Sequence, residues 1–314
     1  MTAIRIEGLS KVYGAVTALD GLDLAVERGT VFGFLGPNGA GKTTTLRLLT
    51  GLTAPTAGRA WVDGVPVAGE EAKVGAAATR YGFLPEEPAF YNWMTAREFL
   101  DHVGRVFGKS ASERAARIGE LLQTVGLAEA ARRRIGGFSR GMRQRLGLAQ
   151  ALISRPPVLF LDEPVSALDP AGRKEVLGLI ERLRGQTTIF MSTHILADVE
   201  RVCDTVGILA RGRLVAHASR ESLLAQYALP LFEFEVQPGA EAALAAWAEA
   251  QRPQPFVDGL TVSGPVARFM VSDVADAGAA LLPSAMQAGL VLARYEMLRP
   301  SLEDVFLRLV NDAP

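Results

Sequence analysis

A glycine-rich segment between two apolar stretches constrains the fold of this 314-residue chain more than any other feature. The segment consists of Gly36, Pro37, Asn38, Gly39, Ala40, Gly41, Lys42, Thr43 and Thr44. It follows the apolar run 31–35 and precedes three leucines, which predicts a strand, a tight loop and a helix. Such a loop points successive backbone N–H groups at a phosphate. We expect Lys42 to reach the β- and γ-phosphates and the Thr43 hydroxyl to bind Mg²⁺.

Composition limits what the rest of the chain can be. The length allows two domains, each with its own core. The 33 basic and 34 acidic residues give a net charge of -1, which predicts no general attraction to nucleic acid or anionic lipid. We find no leader-like start and no apolar run of membrane-spanning length, so we expect neither export nor membrane insertion. The single cysteine, Cys203, excludes an internal disulfide and is expected to be buried.

Two carboxylates follow a second apolar run. Residues 158–161 are typical of a fully buried strand, and Asp162 and Glu163 come at its carboxyl end, where open α/β sheets place ligands. We expect Asp162 to hold the Mg²⁺ and Glu163 to polarise a water molecule. His194 follows another predicted strand, 187–192, and this position at the same sheet edge favours a role in the site over an ordinary surface role.

Other segments of the first 220 residues predict the surroundings of this site. Alternating residues predict half-covered strands at 2–8 and 22–27, and Tyr13 between them could stack on an adenine or simply pack. Helices are predicted at about 95–107, capped by Thr95, and at 112–125, as a small helical subdomain. The aromatic cluster just before them, formed by Phe90, Tyr91 and Trp93, could be the core of that subdomain or an apolar groove for a partner.

A further predicted helix begins at residues 138–141, and its first N–H groups are free to meet an anion. From residue 230 the pattern changes to strand, helix, two strands, helix and strand, which is the ferredoxin-like order βαββαβ. This part contains no catalytic pairing and no metal-ligand spacing. Residues 301–304 have the capping-box pattern that starts a last helix.

Taken together, residues 1 to about 220 resemble the nucleotide-binding subunit of ATP-binding cassette (ABC) transporters. The matching segments are the Walker A motif at 36–43, the signature at 138–142, Walker B at 158–163, the D-loop at 166–169 and the switch residue His194. The resemblance implies that Tyr13 stacks on adenine. It also places Ser139, Arg140, Gly141 and Asp169 among the ATP-binding residues, with the signature of one copy capping the ATP held by another.

The resemblance implies an α/β P-loop NTPase fold of the ABC type, with a mixed sheet core, an antiparallel β subdomain and an inserted helical subdomain. We expect the ATPase domain at 1–225, with the helical subdomain at about 88–155. A small α+β ferredoxin-like domain is expected at 230–314. Its expected role is to support a dimer, and small-molecule sensing is the alternative.

Two departures from the usual family motifs stand out. Glu86 lies where the family usually has glutamine, and the signature carries Arg140 and Met142 in place of glycine and glutamine. Together with the tail at 300–306, they resemble the branch that pairs with ABC-2-type export permeases. We expect Glu86 to contact the metal, because a carboxylate is a better Mg²⁺ ligand than an amide. The alternative is that Glu86 points to solvent or caps the next helix.

The function implied by the resemblance is an ATP-binding and ATP-hydrolysing subunit that powers a separate membrane permease, in an exporter. The implied cofactors are ATP and Mg²⁺, and the implied catalytic residues are Glu163, His194 and Lys42. ATP would drive formation of a homodimer or heterodimer at the cytoplasmic face of the cell membrane, with no nucleic-acid partner. The rival functions are a soluble ABC ATPase acting on nucleic acid or ribosomes, and a GTP switch, for which the sequence has no Asn-Lys-x-Asp motif.

Overall fold

A computed structural model describes residues 1–73, 75, 77–166, 168–227, 230–298 and 302–311. These residues form two compact units. The first comprises Met1–Arg220 together with residues from Leu309 onward, and the second comprises Glu221–Arg308. The division lies a few residues before the expected end of the first domain at 225, and the expected domain bounds stay predictions.

The strands and helices are numbered in chain order. The strands are β1 (Thr2–Tyr13), β2 (Val16–Glu27), β3 (Val31–Leu35), β4 (Ala57–Val62), β5 (Val65–Ala68), β6 (Tyr81–Leu84), β7 (Val158–Asp162), β8 (Thr188–Thr193), β9 (Thr205–Ala210), β10 (Arg213–Ser219), β11 (Leu231–Val236), β12 (Val257–Ser263), β13 (Val266–Val271) and β14 (Leu292–Leu298). The helices are α1 (Lys42–Leu49), α2 (Ala96–Val106), α3 (Ala111–Thr124), α4 (Arg140–Ala151), α5 (Pro170–Leu183), α6 (Leu196–Val202), α7 (Arg220–Tyr227), α8 (Glu241–Gln251), α9 (Val274–Gln287) and α10 (Leu302–Asn311).

The central sheet of the first unit has the strand order β10-β9-β3-β8-β7-β6. Its strands from β9 to β6 run parallel, while β10 is antiparallel to β9, so the sheet is mixed as expected. Every residue of β3, β7 and β8 is buried, which explains the apolar runs at 31–35 and 158–161. The register pairs Leu35 with Thr193 and Asp162 with Ser192. The carboxyl ends of β3, β8 and β7 therefore lie side by side at one edge.

A second sheet in this unit is antiparallel, with the order β2-β1-β4-β5. The expected strands are present, but β1 and β2 are longer than the alternation indicated. The short strand β5 was missed by the sequence analysis. The turn that joins β4 to β5 contains Asp63 and Gly64, which both have positive φ, at 50° and 77°. This backbone matches the two-residue hairpins that suit the twist of paired strands.

The helices α2 to α4 come from the segment predicted as a helical subdomain. Thr95 and Glu98 form the predicted capping box of α2, and Ser110 and Glu113 form an equivalent box at α3. Because each box satisfies N–H groups at a helix start, both helices begin at defined residues. The side chain of Ser139 caps α4 by accepting from the Met142 N–H at 3.2 Å.

The core of the first unit is aromatic where the central sheet is most covered. The Phe190 ring lies 5.0 Å from that of Phe32 and 5.1 Å from that of Phe34, measured between centroids. Cys203 is buried, as expected, and burial raises the pKa of its thiol. It lies against β3 so closely that a Cβ on Gly33 would come 2.8 Å from its Sγ. Cys203 directly follows the short helix α6, which was not predicted from the sequence.

The second unit contains the predicted βαββαβ order, in a sheet arranged β12-β13-β11-β14 with antiparallel neighbours. This is the ferredoxin-like arrangement. Phe234, Trp247 and Phe269 form its aromatic centre. The helix α10 is present, but Ser301 and Pro300 lie outside the described residues, so the predicted capping box and the start of the tail are not described. Among the described helices, none combines the length and apolarity needed to cross a membrane.

Candidate active site

The loop between β3 and α1 is shaped by its glycines. Gly41 has φ +110°, and it precedes α1 without any side-chain cap, so the first N–H groups of the helix stay open to an anion. A Cβ on Gly36 would lie 2.5 Å from the Leu209 carbonyl oxygen, and one on Gly41 would lie 2.4 Å from that of Ala18. Any larger residue at either position would push the loop away from its neighbours.

Lys42 is folded back into this loop. Its side chain is 7% exposed, and the Nζ donates to the carbonyl oxygens of Gly36 at 2.7 Å and Pro37 at 3.3 Å. The same atom lies 3.7 Å from Glu163 Oε1. Burial lowers the pKa of Lys42, while the charges of Glu163, Asp162 and Glu86 oppose that shift. The ammonium group is thus a partly desolvated cation at the cavity, and its closest partners are carbonyl oxygens of the loop and not a carboxylate.

Asp162 ends β7 beside the start of α1. Its Oδ1 accepts a hydrogen bond from Ser192 Oγ at 2.6 Å and one from Thr43 Oγ1 at 3.3 Å. Burial raises the pKa of Asp162, and the neighbouring Glu163 charge adds to that rise. The two hydroxyl donors oppose the shift, because they stabilise the ionised form.

Glu163 follows in an uncommon backbone conformation. Its φ is +46°, in the left-handed region, which costs a non-glycine residue roughly 1–3 kcal/mol. Its N–H donates to both the carbonyl oxygen and the hydroxyl oxygen of Ser192, each at 3.1 Å. The turn directs the Glu163 side chain, 9% exposed, toward His194, whose Nδ1 lies 2.9 Å from Oε2. The His194 side chain is half-exposed, so the pair connects a buried carboxylate to the solvent-accessible surface.

Most of these groups line one cavity of about 260 Å³, but Asp162, Gly36 and Pro37 are not among its lining residues. It is lined by Ala18, Asn38, Gly39, Ala40, Gly41, Lys42, Thr43, Thr44, Glu86, Glu163 and His194. The Gly-rich loop, the basic side chain, one carboxylate and the histidine predicted from distant parts of the sequence therefore meet at the carboxyl ends of adjacent strands. Glu86 lines the same cavity from an exposed position after β6.

The remaining predicted residues lie outside this cavity. Ser139 and Asp169 cap helices, and Asp169 Oδ1 accepts from the Gly172 N–H at 3.1 Å. Arg140 Nη2 lies 4.0 Å from Glu87 Oε1. Gly141 lies near the segment predicted as the D-loop, since a Cβ on it would be 4.0 Å from Leu168 Cδ2. Ala167 of that segment lies outside the described residues.

Tyr13 is also apart from the cavity lining. Tyr13 is the last residue of β1 and is 45% exposed. The Lys11 Nζ lies 4.8 Å from the centroid of its ring, on the ring face. The ring is therefore available at the surface, and adenine stacking by Tyr13 stays a prediction.

The donor set fits a magnesium ion held together with a phosphate. Thr43 and Asp162 offer hard oxygen atoms of the type that Mg²⁺ prefers, and they lie together beside the open loop. In the part of the chain that the structure describes, no cluster of three or more His, Cys, Asp or Glu side chains could hold a metal alone. The ion would need further oxygens from the nucleotide.

Ser192 and the cavity-lining Ala18 are residues of this site that were not predicted from the sequence, and Ser192 makes the closer contacts to the acids. Ser192 is fully buried and contacts both acids at the end of β7. The available signal was its polarity in a run of apolar strand residues, two positions before His194. Its partners could not be identified without the register between β7 and β8.

Comparison with known proteins agrees with this arrangement. A family model described as ABC transporter matches residues 19–166. The uncharacterized ABC transporter ATP-binding protein YxlF of Bacillus subtilis (strain 168) is 42% identical, over 98% of this chain and 99% of that protein. The Nod factor export ATP-binding protein I of Paraburkholderia xenovorans (strain LB400) is 37% identical, over 98% of this chain and 97% of that protein. A solved structure of an ATP-binding subunit of an ABC transporter matches with TM-score 0.64 and 30% identity, over 72% of this chain and 93% of that one.

The raised pKa of Asp162 predicts a pH-dependent stability difference. Because the pKa is higher in the folded protein than in the unfolded chain, the ionised carboxylate destabilises the fold. This destabilisation is absent at acidic pH, appears as pH rises past the ordinary carboxyl range, and is complete above the raised pKa. Asp162→Asn keeps the shape without the charge. We expect it to melt a few degrees above wild type near neutral pH, with the difference shrinking toward acid.

The measurement is thermal unfolding of the nucleotide-free protein across that pH range. Glu129→Gln, which removes an exposed carboxylate from the same unit, is the matched control and should follow wild type at every pH. An Asp162→Asn protein that melts below wild type near neutral pH would contradict the argument.

Proposed function

The chain belongs to the family of ABC transporter ATP-binding proteins, and from this premise we propose that it hydrolyses ATP to power export through a separate membrane permease. One observation carries the proposal. Lys42, Glu163 and His194 line a single cavity with the phosphate-binding loop, at the carboxyl ends of adjacent parallel strands. A relative of nearly the same length is named as an export ATP-binding protein, which supports the direction of transport.

Binding of ATP uses the loop and the lysine. The open N–H groups at the start of α1 and the positive end of the helix bind phosphate oxygens. Lys42, held 2.7 Å from the Gly36 carbonyl oxygen, needs only to exchange backbone partners for the β- and γ-phosphates. Thr43 and Asp162 would hold Mg²⁺, which neutralises negative charge on the phosphates when bound with ATP.

Hydrolysis relies on the pair of Glu163 and His194. Glu163 orients the attacking water and accepts its proton, because its carboxylate is buried and faces the cavity. His194 lies 2.9 Å from that carboxylate and reaches the solvent side, where it stabilises charge at the γ-phosphate. Lys42 balances the negative charge that accumulates around the transferred group.

Completion of the site calls for a second copy of an ATP-binding subunit. The predicted signature residues Ser139, Arg140 and Gly141 do not line the cavity of their own chain. They lie at the N-terminus of α4, a position suited to bind an anion on another molecule. ATP held between the loop of one subunit and this surface of the other would join the two, and hydrolysis would release them. The ferredoxin-like unit supports this dimer, with sensing of a small molecule as its alternative role.

An exposed aromatic surface supports a permease partner. The predicted aromatic cluster divides in the structure, since Phe90 packs edge-on against Phe99 at 5.1 Å while Tyr91 and Trp93 stay 53% and 68% exposed. The Tyr91 and Trp93 rings are 5.9 Å apart, on the predicted helical subdomain. Paired exposed aromatics are typical of protein interfaces. We place the protein at the cytoplasmic face of the membrane through this contact.

The capture of partners from solubilised membranes tests the transporter function. We expect the tagged wild-type protein to recover an integral membrane protein, and a Tyr91→Ser/Trp93→Ser variant to recover less than about a tenth as much, since loss of two aromatic anchors costs that factor or more. Val106→Ser, which changes another exposed apolar residue of the helical segment, is the control. Recovery of ribosomes or nucleic acid in place of a membrane protein would favour the soluble ABC ATPase.

Replacing the proposed base tests the mechanism. Glu163→Gln keeps the shape but cannot accept a proton, so we expect ATP turnover to fall by about a hundredfold or more while ATP binding is retained. A dimer should accumulate with Mg-ATP, as measured by light scattering beside phosphate release. Turnover close to wild type would refute the assignment of Glu163.

The role of Glu86 is tested by the Mg²⁺ dependence of ATP hydrolysis. Its charge reaches Lys42, and it lines the cavity, so Glu86→Gln should raise several-fold the Mg²⁺ concentration for half-maximal hydrolysis, with folding and ATP binding retained. The neighbouring Glu87 has an 86% exposed side chain and does not line the cavity, which makes Glu87→Gln the matched control. Superimposable Mg²⁺ titrations of wild type and Glu86→Gln would mean that Glu86 is not a metal-site residue.

A further inference from the structure

We propose that Ser192 is a positioning residue that holds the metal-binding carboxylate of Asp162 and the backbone of Glu163 in place with a single hydroxyl group. The inference rests on the proposed function and extends it to a residue that lines no part of the cavity. Ser192 is fully buried in β8, beside Asp162 in the register of the sheet. It can therefore act on the site only through the two acids.

The hydroxyl makes two contacts of opposite kind. Ser192 Oγ donates to Asp162 Oδ1 at 2.6 Å and accepts from the Glu163 N–H at 3.1 Å. The Ser192 carbonyl oxygen accepts from the same N–H at 3.1 Å. Of the small buried side chains, a hydroxyl alone is both a good donor and a good acceptor. Alanine would leave Asp162 with one donor fewer, and it would leave the Glu163 N–H with the carbonyl oxygen alone.

The contact to Asp162 matters most when the nucleotide is bound. In the structure Asp162 Oδ1 accepts from two hydroxyls, and the Thr43 contact at 3.3 Å is the longer. Thr43 is also proposed to turn its oxygen to the metal, and its hydrogen bond to Asp162 would then be lost or weakened. Ser192 is the partner that keeps the carboxylate oriented in both situations, since it is fully buried and does not line the cavity.

The contact to Glu163 fixes the direction of the proposed base. Glu163 has φ +46°, and the N–H of a residue in that conformation needs firm partners if the turn is to persist. Both of its acceptors belong to Ser192. The next residues of the chain after Ser192 lead directly to His194, which contacts the Glu163 carboxylate. One buried residue thus contacts Asp162 and the Glu163 backbone and lies two positions before His194 in the chain.

Binding of Mn²⁺ in the presence of ATP, followed by electron paramagnetic resonance, tests this inference without relying on turnover. Partners that orient metal ligands typically contribute about 10–100-fold to metal affinity or activity. We expect Ser192→Ala to weaken Mn²⁺ binding about tenfold and to lower kcat by a similar factor, with the KM for ATP changed less than about twofold. Ser192→Thr, which keeps the hydroxyl, should restore most of both.

Thr188→Val is the matched control, because Thr188 is a buried hydroxyl residue of the same strand whose Oγ1 accepts from the Gly29 N–H at 3.0 Å, far from the acids in sequence register. It should leave Mn²⁺ affinity and kcat as in wild type. If wild type binds no Mn²⁺ with ATP, the proposed function itself fails. If wild type binds and Ser192→Ala matches it in both affinity and kcat, the positioning role alone is refuted. Ser192→Cys, similar in size but a weak donor, should fall between wild type and alanine, and equality with wild type would likewise overturn the role.

Discussion

The hydrogen-bond register of three neighbouring parallel strands is the constraint on which the site depends. β3, β8 and β7 end at one edge, with Leu35 opposite Thr193 and Asp162 opposite Ser192. Whatever follows each strand is thereby brought together: the Gly-rich loop, His194, and the acids at the end of β7. A shift by one residue in either pairing would separate these groups, because it would turn successive side chains to opposite faces of the sheet. The apolar side chains of the buried strands hold that register through the Phe32, Phe34 and Phe190 contacts.

The charges at this edge are arranged for a ligand more than for stability. Burial lowers the pKa of Lys42 and raises that of Asp162, so each charged form is disfavoured by its surroundings. Lys42 lies 3.7 Å from Glu163, longer than a close ion pair, while its shorter contacts are to loop carbonyl oxygens. Polyphosphate with a divalent cation would supply what each group lacks: oxygen anions for the ammonium and a cation for the carboxylate. Binding therefore relieves two desolvated charges together, and the fold carries the cost of holding them in its absence.

Two surfaces of the first unit lie outside the cavity. The start of α4 and the exposed Tyr91 and Trp93 make no contribution to the cavity of their own chain. We propose that they contact other molecules, a second ATP-binding subunit and a permease. Because Ser139 and Asp169 serve as helix caps, the two segments that would meet a second subunit are also fixed locally, before any partner binds.

Local patterns in the sequence were enough to predict most of the elements and most of the candidate chemistry. The loop at 36–44, the apolar runs, the Thr95 capping box and the βαββαβ order depend on local patterns, and each was found from them. Features that depend on which residues pair or pack across the fold could not be predicted from these local patterns. Ser192 looked like an ordinary strand residue, β5 and α6 were too short to show a period, and the division of Phe90 from Tyr91 and Trp93 depended on what packed against each ring. The tertiary structure alone decided these points, because hydrogen-bond register and burial join residues that are far apart in the chain.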